Sequence, residues 1–550
     1  MVAFGALGLS SCGDFDDLNV DPEHLNQGNV PYEMIFSNAQ HQALGSDWDM
    51  WRTGCIYSAQ FTQQLVSIDW WDSYGRYGYS DGYSASFWDT FSGDRGAMRD
   101  VTTCYDQWNG AEGLNVDWNI ARVMRIYAFA KMTDLYGDIP YSQAGRPSLF
   151  SYPVYDKQED IYKSMLAELD EAQANLVGTA KMGQHDLYFQ GDASKWKKFA
   201  NSLMLRLAMR LVKVDEATAK QYAAKAYANG VITDAADNVK LNHAGGVTTN
   251  DSSEPFAKIM SHEDREFYLA ENFVSMLKNT QDPRLCLIAT IIPTSTGGQV
   301  KSIQDGWTDA DYGVMSFDAQ EGLLQGGYGN NPDRADYFIG QADTRFNDGD
   351  FLDNYSAHFS IPNRYTYSDP TAPTFIVTAA QTNLLLAEAA VRGYISGSAE
   401  QFYNAGVKAA FEQFAQFPAY SKALNALNAD ATVGIKDATL GDYAADYLAK
   451  NPFDAANALE QINTQYYITT FGDPHEVFAN WRRSGFPVLT PAVMAKIYAQ
   501  SGTYEDGGSI PRRFIYPTSE GQINKANYDE AVSRLDRGDK FYSRVWWDKK

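Results

Sequence analysis

The chain has little of what most hydrolases and nucleic-acid-binding proteins need. Only seven histidines occur in 550 residues, at positions 24, 41, 185, 243, 262, 358 and 475. No two of them have helical ligand spacing and no HExxH is present, which argues against a zinc hydrolase, and no metal site is assigned. The four cysteines, Cys12, Cys55, Cys104 and Cys286, form no CxxC pair. Buried free thiols are the plainer reading, with a Cys55–Cys104 disulfide as the alternative. Positive charge is scarce too: 45 Lys and Arg face 69 Asp and Glu, for a net charge of −24. Such a field repels phosphate backbones and speaks against a nucleic-acid partner, while it suits neutral or cationic ligands and a secreted setting. P-loop, dinucleotide fingerprint and nucleophile elbow are all missing, so no cofactor is expected. No apolar run reaches the 18 residues needed to span a bilayer.

Aromatic rings, by contrast, are abundant. They make up 14% of the chain, with 35 Tyr and 12 Trp, within a 44% hydrophobic content that supports a real core. They crowd most densely in "IDWWDSYGRYGYSDGYSASFWDTF", residues 68–91, where nine rings alternate with Gly, Asp, Ser and Arg and almost no aliphatics. Strands and helices that build a core carry Val, Ile and Leu as well. A segment with rings, glycines and charges alone builds surface, because Tyr and Trp offer flat apolar faces with a polar edge at low entropic cost.

The first twelve residues, "MVAFGALGLSSC", are a short apolar run ending in small residues before Cys12. They read as the tail of a signal peptide whose basic beginning is trimmed. Leu9-Ser10-Ser11-Cys12 resembles a bacterial lipobox, which makes Cys12 the lipidation site and the protein membrane-anchored without spanning. The following "GDFDD" resembles the surface-export signal of Bacteroidetes lipoproteins.

Most of the remaining chain shows helical periodicity. In "KWKKFANSLMLRLAMRLVK", residues 195–213, Trp196, Phe199, Ala200, Leu203, Met204, Leu207, Ala208 and Leu211 recur at i, i+3, i+4, i+7. Lys197, Lys198, Arg206 and Arg210 face away, as a solvated side. A second helix, "TFIVTAAQTNLLLAEAAVRG", stops at Gly393, and "QFYNAGVKAAFEQFAQF" follows after a short loop to make a helical hairpin. Similar pairs are drawn at 117–136, 157–177, and 195–213 with 215–229. Four or so hairpins predict a mainly α, tetratricopeptide-like scaffold. Residues 244–370 are richer in Gly, Asn, Asp and Thr and read as a loop-rich insertion, the kind of segment that carries binding residues.

Several phrases in this chain resemble the SusD/RagB family of nutrient-binding outer-membrane lipoproteins. They are "TDLYGDIPYSQA" (133–144), "DPRL" (282–285), "LLLAEAAVRGY" (384–394), "YNAGVKAAF" (403–411), "INTQYYITTFGDPHEVFANWRRSGFPVL" (462–489) and "IPRRFIYPTSEGQINKANYDEAV" (510–532). The resemblance runs from Cys12 to the terminal "RVWWDK". It implies one SusD-like domain over 13–550, with four tetratricopeptide-like hairpins (about 30–243 and 371–550) and the loop-rich insertion between them forming the ligand site. It also implies a non-enzymatic protein on the outer membrane, facing the exterior, that captures an oligomer and acts as the lid of a SusC-type TonB-dependent transporter. The motifs belong to the scaffold, so Arg482, Arg483, Arg512 and Arg513 are expected to pair with local carboxylates and carbonyls.

On such a surface the aromatic stretch has a physical reading. Sugar rings stack their C–H faces on aromatic planes while their hydroxyls pair with Asp, Asn and Arg. The ligand-binding candidates are therefore Trp70, Trp71, Asp72, Tyr74, Arg76 and Trp88, joined by Trp307 in a polar loop and by Asn363 and Arg364. The competing reading is that these rings pack the scaffold's own loops or meet the transporter. The acidic "FNDGDFLDN", residues 346–354, fits no EF-hand spacing and reads as an acidic turn. An oligopeptide is the alternative ligand on the same fold. A secreted glycoside hydrolase is the remote alternative, with no motif that points to its two carboxylates.

Overall fold

The computed structural model describes residues 30–43, 45–67, 72–91, 96–245, 253–260, 267–291, 314–325, 359–492 and 509–550. The architecture is mainly α. The long helices are α1 (Tyr32–Gln42), α2 (Ala97–Trp108), α3 (Asn115–Tyr136), α4 (Gln158–Asn175), α5 (Ala193–Arg210) and α6 (Glu216–Asn229). They continue with α7 (Ala379–Val391), α8 (Ala399–Glu412), α9 (Ala458–Thr469) and α10 (Pro474–Ser484). Neighbours in sequence are neighbours in space: α1 packs on α2, α2 on α3, α3 on α4, α4 on α5 and α5 on α6. After the middle segment the pattern resumes, with α7 against α8 and α9, and α9 against α10.

Local sequence chemistry sets several boundaries. Asp192 caps α5 by accepting from the amides of Ser194 and Lys195. Thr378 and Gln381 form a reciprocal capping box at the start of α7. The chain before that box, Thr374–Val377, is the strand β6 rather than the first turn of the helix, as its β-branched residues favour. Gly406 in α8 lies where a Cβ would come within 2.8 Å of Leu384 Cγ and 3.2 Å of the Leu384 amide nitrogen. Its missing side chain is what lets α7 and α8 close on each other.

Strands are few and short. β1 (Leu65–Ser67) pairs antiparallel with β3 (Phe267–Leu269), β2 (Val239–Leu241) with β6, and β4 (Ala289–Thr290) with β5 (Ile361–Pro362). The β1–β3 ladder ties the middle segment to the N-terminal part of the chain, β2–β6 joins the stretches that flank it, and β4–β5 lies within it. Of residues 244–370, the described parts hold three short helices, Pro255–Met260, Glu271–Asn279 and Arg284–Ile288, and the stretch 346–354 lies outside the described residues.

The solvated face expected on α5 is only half present. Lys197 and Lys198 reach the surface, but Arg206 and Arg210 are buried, because α5 is enclosed by α3, α4, α6 and α7. Their charge is met inside: Arg210 Nη2 pairs with Glu476 and its Nε lies 3.4 Å from Asp134. Arg206 donates to the Ile376 carbonyl and to Gln381. The C-terminal arginines act as the sequence predicts. Arg482 donates to the carbonyls of Asp134, Phe478 and Arg512, and Arg513 to Asp539 and the Tyr136 carbonyl. Arg512 makes a two-pronged pair with Asp548. Cys55, Cys104 and Cys286 are buried free thiols, so the Cys55–Cys104 disulfide is not formed.

Candidate functional site

The most exposed tryptophan among the described residues is Trp48, 47% accessible, in the turn Asp47–Asp49. Ser46 and Asp49 close a capping box around that turn, which runs directly into Met50–Ala59, wound as a π-helix. Such winding is rare and recurs at functional sites, where it re-aims side chains. Trp48, Trp51 and Arg52 thereby fall on one side. The Trp48 and Trp51 rings meet edge to face at 5.4 Å, and Trp51 continues to Tyr83 at 5.8 Å. Tyr83 in turn meets Tyr74 at 5.3 Å.

Arg52 lies among these rings. Its guanidinium carbon is 5.1 Å from the Trp48 ring, 5.9 Å from Trp51 and 5.7 Å from Tyr83. Among the described residues no hydrogen bond or ion pair reaches this guanidinium, and its Nε is buried without a partner. Asp89 stands nearby, its carboxyl pushed up by partial burial and by the charge of Asp49, with Arg52 opposing. The cluster is anchored from beneath: Tyr74 abuts the buried Tyr57 at 5.8 Å, and Tyr57 meets Phe514 and Phe541. Flat half-exposed rings beside unused N–H donors suit a ligand with apolar faces and many hydroxyls.

The sequence candidates fall into three groups. Tyr74 belongs to the cluster just described, and Asp72 opens the helical turn Asp72–Gly75 beside it. Cys12, Trp70, Trp71 and Trp307 lie outside the described residues. Arg76, Trp88, Asn363 and Arg364, expected at the ligand surface, are placed in the interior instead. Trp88 is 8% exposed, stacked on Tyr155 at 5.9 Å and met edge-on by Tyr136 and Tyr516. Asn363 donates to the carbonyls of Cys286 and Ala289 and accepts from the Tyr365 amide, which ties β5 to the helix Arg284–Ile288. Its polarity satisfies backbone groups inside the protein.

Trp48, Trp51 and Arg52 lie outside the aromatic-dense stretch 68–91. Their signal was in "SDWDMWRTG", where two tryptophans three apart and an arginine four on share a helix face. Among the described residues no group of three His, Cys, Asp or Glu side chains could hold a metal ion, and no helix is long and apolar enough to cross a membrane.

Solved structures share this helical scaffold. A chitin-binding protein is 29% identical, with a TM-score of 0.73 over 94% of this chain and 100% of its own. A Bacteroidetes SusD-like structure, AC2a, is 27% identical with a TM-score of 0.76, covering 95% of this chain and 100% of its own. A SusD homologue from Bacteroides uniformis shares the fold at 22% identity, a TM-score of 0.69, and coverage of 94% and 99%. No curated protein sequence matches the chain. The family model described as "Starch-binding associating with outer membrane" matches residues 26–517, and the chain belongs to this SusD-like family.

Proposed function

We propose that the protein is a non-enzymatic, lipid-anchored binding protein that captures oligosaccharides at the cell surface. It would deliver them to a SusC-type TonB-dependent transporter, acting as its lid. The observation that carries this reading is the half-exposed ring cluster Trp48–Trp51–Tyr83–Tyr74 around the unpaired Arg52 guanidinium. The family's description as starch-binding, and the chitin-binding relative, support a glycan as the ligand class. Trp70, Trp71 and Trp307 remain proposed ligand contacts, and Cys12 would carry the lipid.

A few stacked rings and several hydrogen bonds to well-solvated hydroxyls leave an affinity in the micromolar range or weaker. That fits a protein which must release its cargo, with closure over the transporter supplying retention. The test is isothermal titration of the protein against a panel of oligosaccharides and a mixed peptide digest. One glycan class should give saturable heat, and Trp48→Ala or Trp51→Ala should each weaken it about tenfold, a stacked ring being worth about 1 kcal/mol or slightly more. Unchanged affinity in both variants rules out this platform. Heat with peptides alone keeps the fold and replaces the ligand.

A further inference from the structure

A second concave site lies well inside the scaffold, where the helix Pro255–Met260, β6, the end of α8 and the α9–α10 junction converge. Its enclosed volume is small, about 20 Å³, room for one or two non-hydrogen groups, and it opens outward through a mouth. One wall is aromatic: Tyr367 meets Phe471 at 4.8 Å and Phe417 at 5.0 Å, and Phe471 continues to Phe256 at 5.6 Å. The polar lining sets two carboxylates among Thr and Gln side chains. Glu254, 5% exposed, takes one hydrogen bond at each carboxylate oxygen, 2.8 Å from Thr374 Oγ and 2.6 Å from the Ala257 amide. No lysine or arginine among the described residues pairs with it. Asp473, the cap of α10, contributes a second carboxylate.

Two further lining groups have unmet hydrogen-bonding capacity. Gln413 Oε1 and Thr469 Oγ are buried without any partner, in residues only 4% and 7% exposed. Buried polar atoms are rarely left so unless something else meets them. Two carboxylates, two orphaned oxygens and a ring wall with electron-rich faces together ask for a donor-rich cation of small size. A cation can serve as counter-ion once Glu254 ionises, which neither an anion nor a neutral molecule can do.

We propose that this pocket binds the ammonium end of a short primary amine, with Glu254 as counter-ion and Gln413 and Thr469 as hydrogen-bond acceptors. The alkyl stub rests on the wall formed by Tyr367, Phe417 and Phe471. The site shares no residue with the Trp48–Arg52 cluster and stands whether or not that cluster binds sugar. Burial holds the empty Glu254 carboxyl up at about 7, so a cation arriving at pH 6.5 expels its proton. Other titratable groups facing Glu254 contribute little to this release. Cys55 is a buried thiol held well above its ordinary range, and His243, 2.9 Å from Thr374 Oγ beside His41, is held down at about 4. Asp473 is also raised, chiefly by burial, with Lys131 opposing.

The experiment is isothermal titration of the protein with methylammonium and ethylammonium chloride at pH 6.5. It is run in two buffers of different ionisation enthalpy, with potassium chloride and methanol as controls. Saturable binding in the millimolar range is expected, with net proton release and no response to either control. Glu254→Gln should weaken binding at least about tenfold and abolish the proton release. Gln413→Leu removes the orphaned Oε1 acceptor and should weaken binding several-fold. Absence of saturable heat, an equal response to potassium or methanol, or binding unchanged in both variants would show that the pocket holds water only, and overturn the proposal.

Discussion

Replacing Arg483 by Met tests the reading that "WRRSGFPVL" is framework and not ligand site. Arg483 and Glu388 are each 1% exposed. They form a two-pronged pair, with Nη1 to Oε1 at 2.7 Å and Nη2 to Oε2 at 2.8 Å. Arg483 also donates to the side-chain oxygens of Asn463 and Asn480, and Arg392 donates to Glu388 Oε1 at 2.8 Å. Burial alone pushes the Glu388 carboxyl up, but the charge and hydrogen bonds of Arg483, then of Arg392, overcome it and hold the group at about 2 instead of 4.5. At 1.36 kcal/mol per unit, that displacement corresponds to roughly 3 kcal/mol of stability. The figure agrees with the ~3–5 kcal/mol lost when one partner of a buried pair is removed. The sign follows from a depressed carboxylate: the contribution is complete above about pH 4.5 and is lost as the pH falls towards 2. Urea denaturation followed by intrinsic tryptophan fluorescence should therefore show Arg483→Met about 3 kcal/mol less stable at pH 7. The gap should narrow at pH 3, and adding Glu388→Leu should restore much of the loss. A loss below about 1 kcal/mol at pH 7, or an equal loss at both pH values, refutes the reasoning.

Two other outcomes follow from the packing. His475 is buried against Phe87 and 3.0 Å from Thr53 Oγ, and burial, helped by the charge of Lys131, holds it neutral far below its ordinary 6.5. The unfolded chain takes up that proton and the folded one does not, so stability falls as the pH drops below about 6.5. His475→Gln should lose less melting temperature than the native chain between pH 7.5 and 5.5, by differential scanning calorimetry. Gly406→Ala should lower the melting temperature by the equivalent of about 1–3 kcal/mol, because its methyl meets Leu384 at 2.8 Å. Gly441→Ala, where only Thr439 Oγ lies within 4 Å at 3.7 Å, should be neutral or stabilising in the same assay.

The helical class was legible because long amphipathic runs such as 195–213 declare themselves by period. What period could not reveal is how completely a central helix is enclosed. Arg206 and Arg210 look like a wet face in sequence, yet their carboxylate partners are Glu476 and Asp134, hundreds and tens of residues away. The candidate site was legible only in kind. Residues 68–91 do supply surface rings, Tyr74 and Tyr83 among them, but the same stretch buries Tyr77, Phe87 and Trp88. Which ring goes where is decided by partners far along the chain: Tyr77 accepts from the Ala492 amide, and Trp88 lies between Tyr136, Tyr155 and Tyr516. Aromatic density locates such a region and long-range packing assigns its faces.

That packing also explains why phrases without ligand residues matter to a binding surface. The π-helix that carries Trp51 and Arg52 packs on α10, and at Gly54 the approach is so close that a Cβ would stand 3.1 Å from Pro474 Cγ. From α10, Arg482 reaches the Asp134 carbonyl of α3 and Arg483 reaches Glu388 of α7. Tyr74 rests on Tyr57, which meets Phe514 directly after Arg512 and Arg513 in "IPRRF". The ring cluster is thus mounted on the arginine framework and not on a free loop. A platform fixed in this way binds with little ordering cost, so a small number of rings suffices to hold a flexible oligomer. Under the proposed function the arginines would act on recognition through rigidity, without touching the ligand.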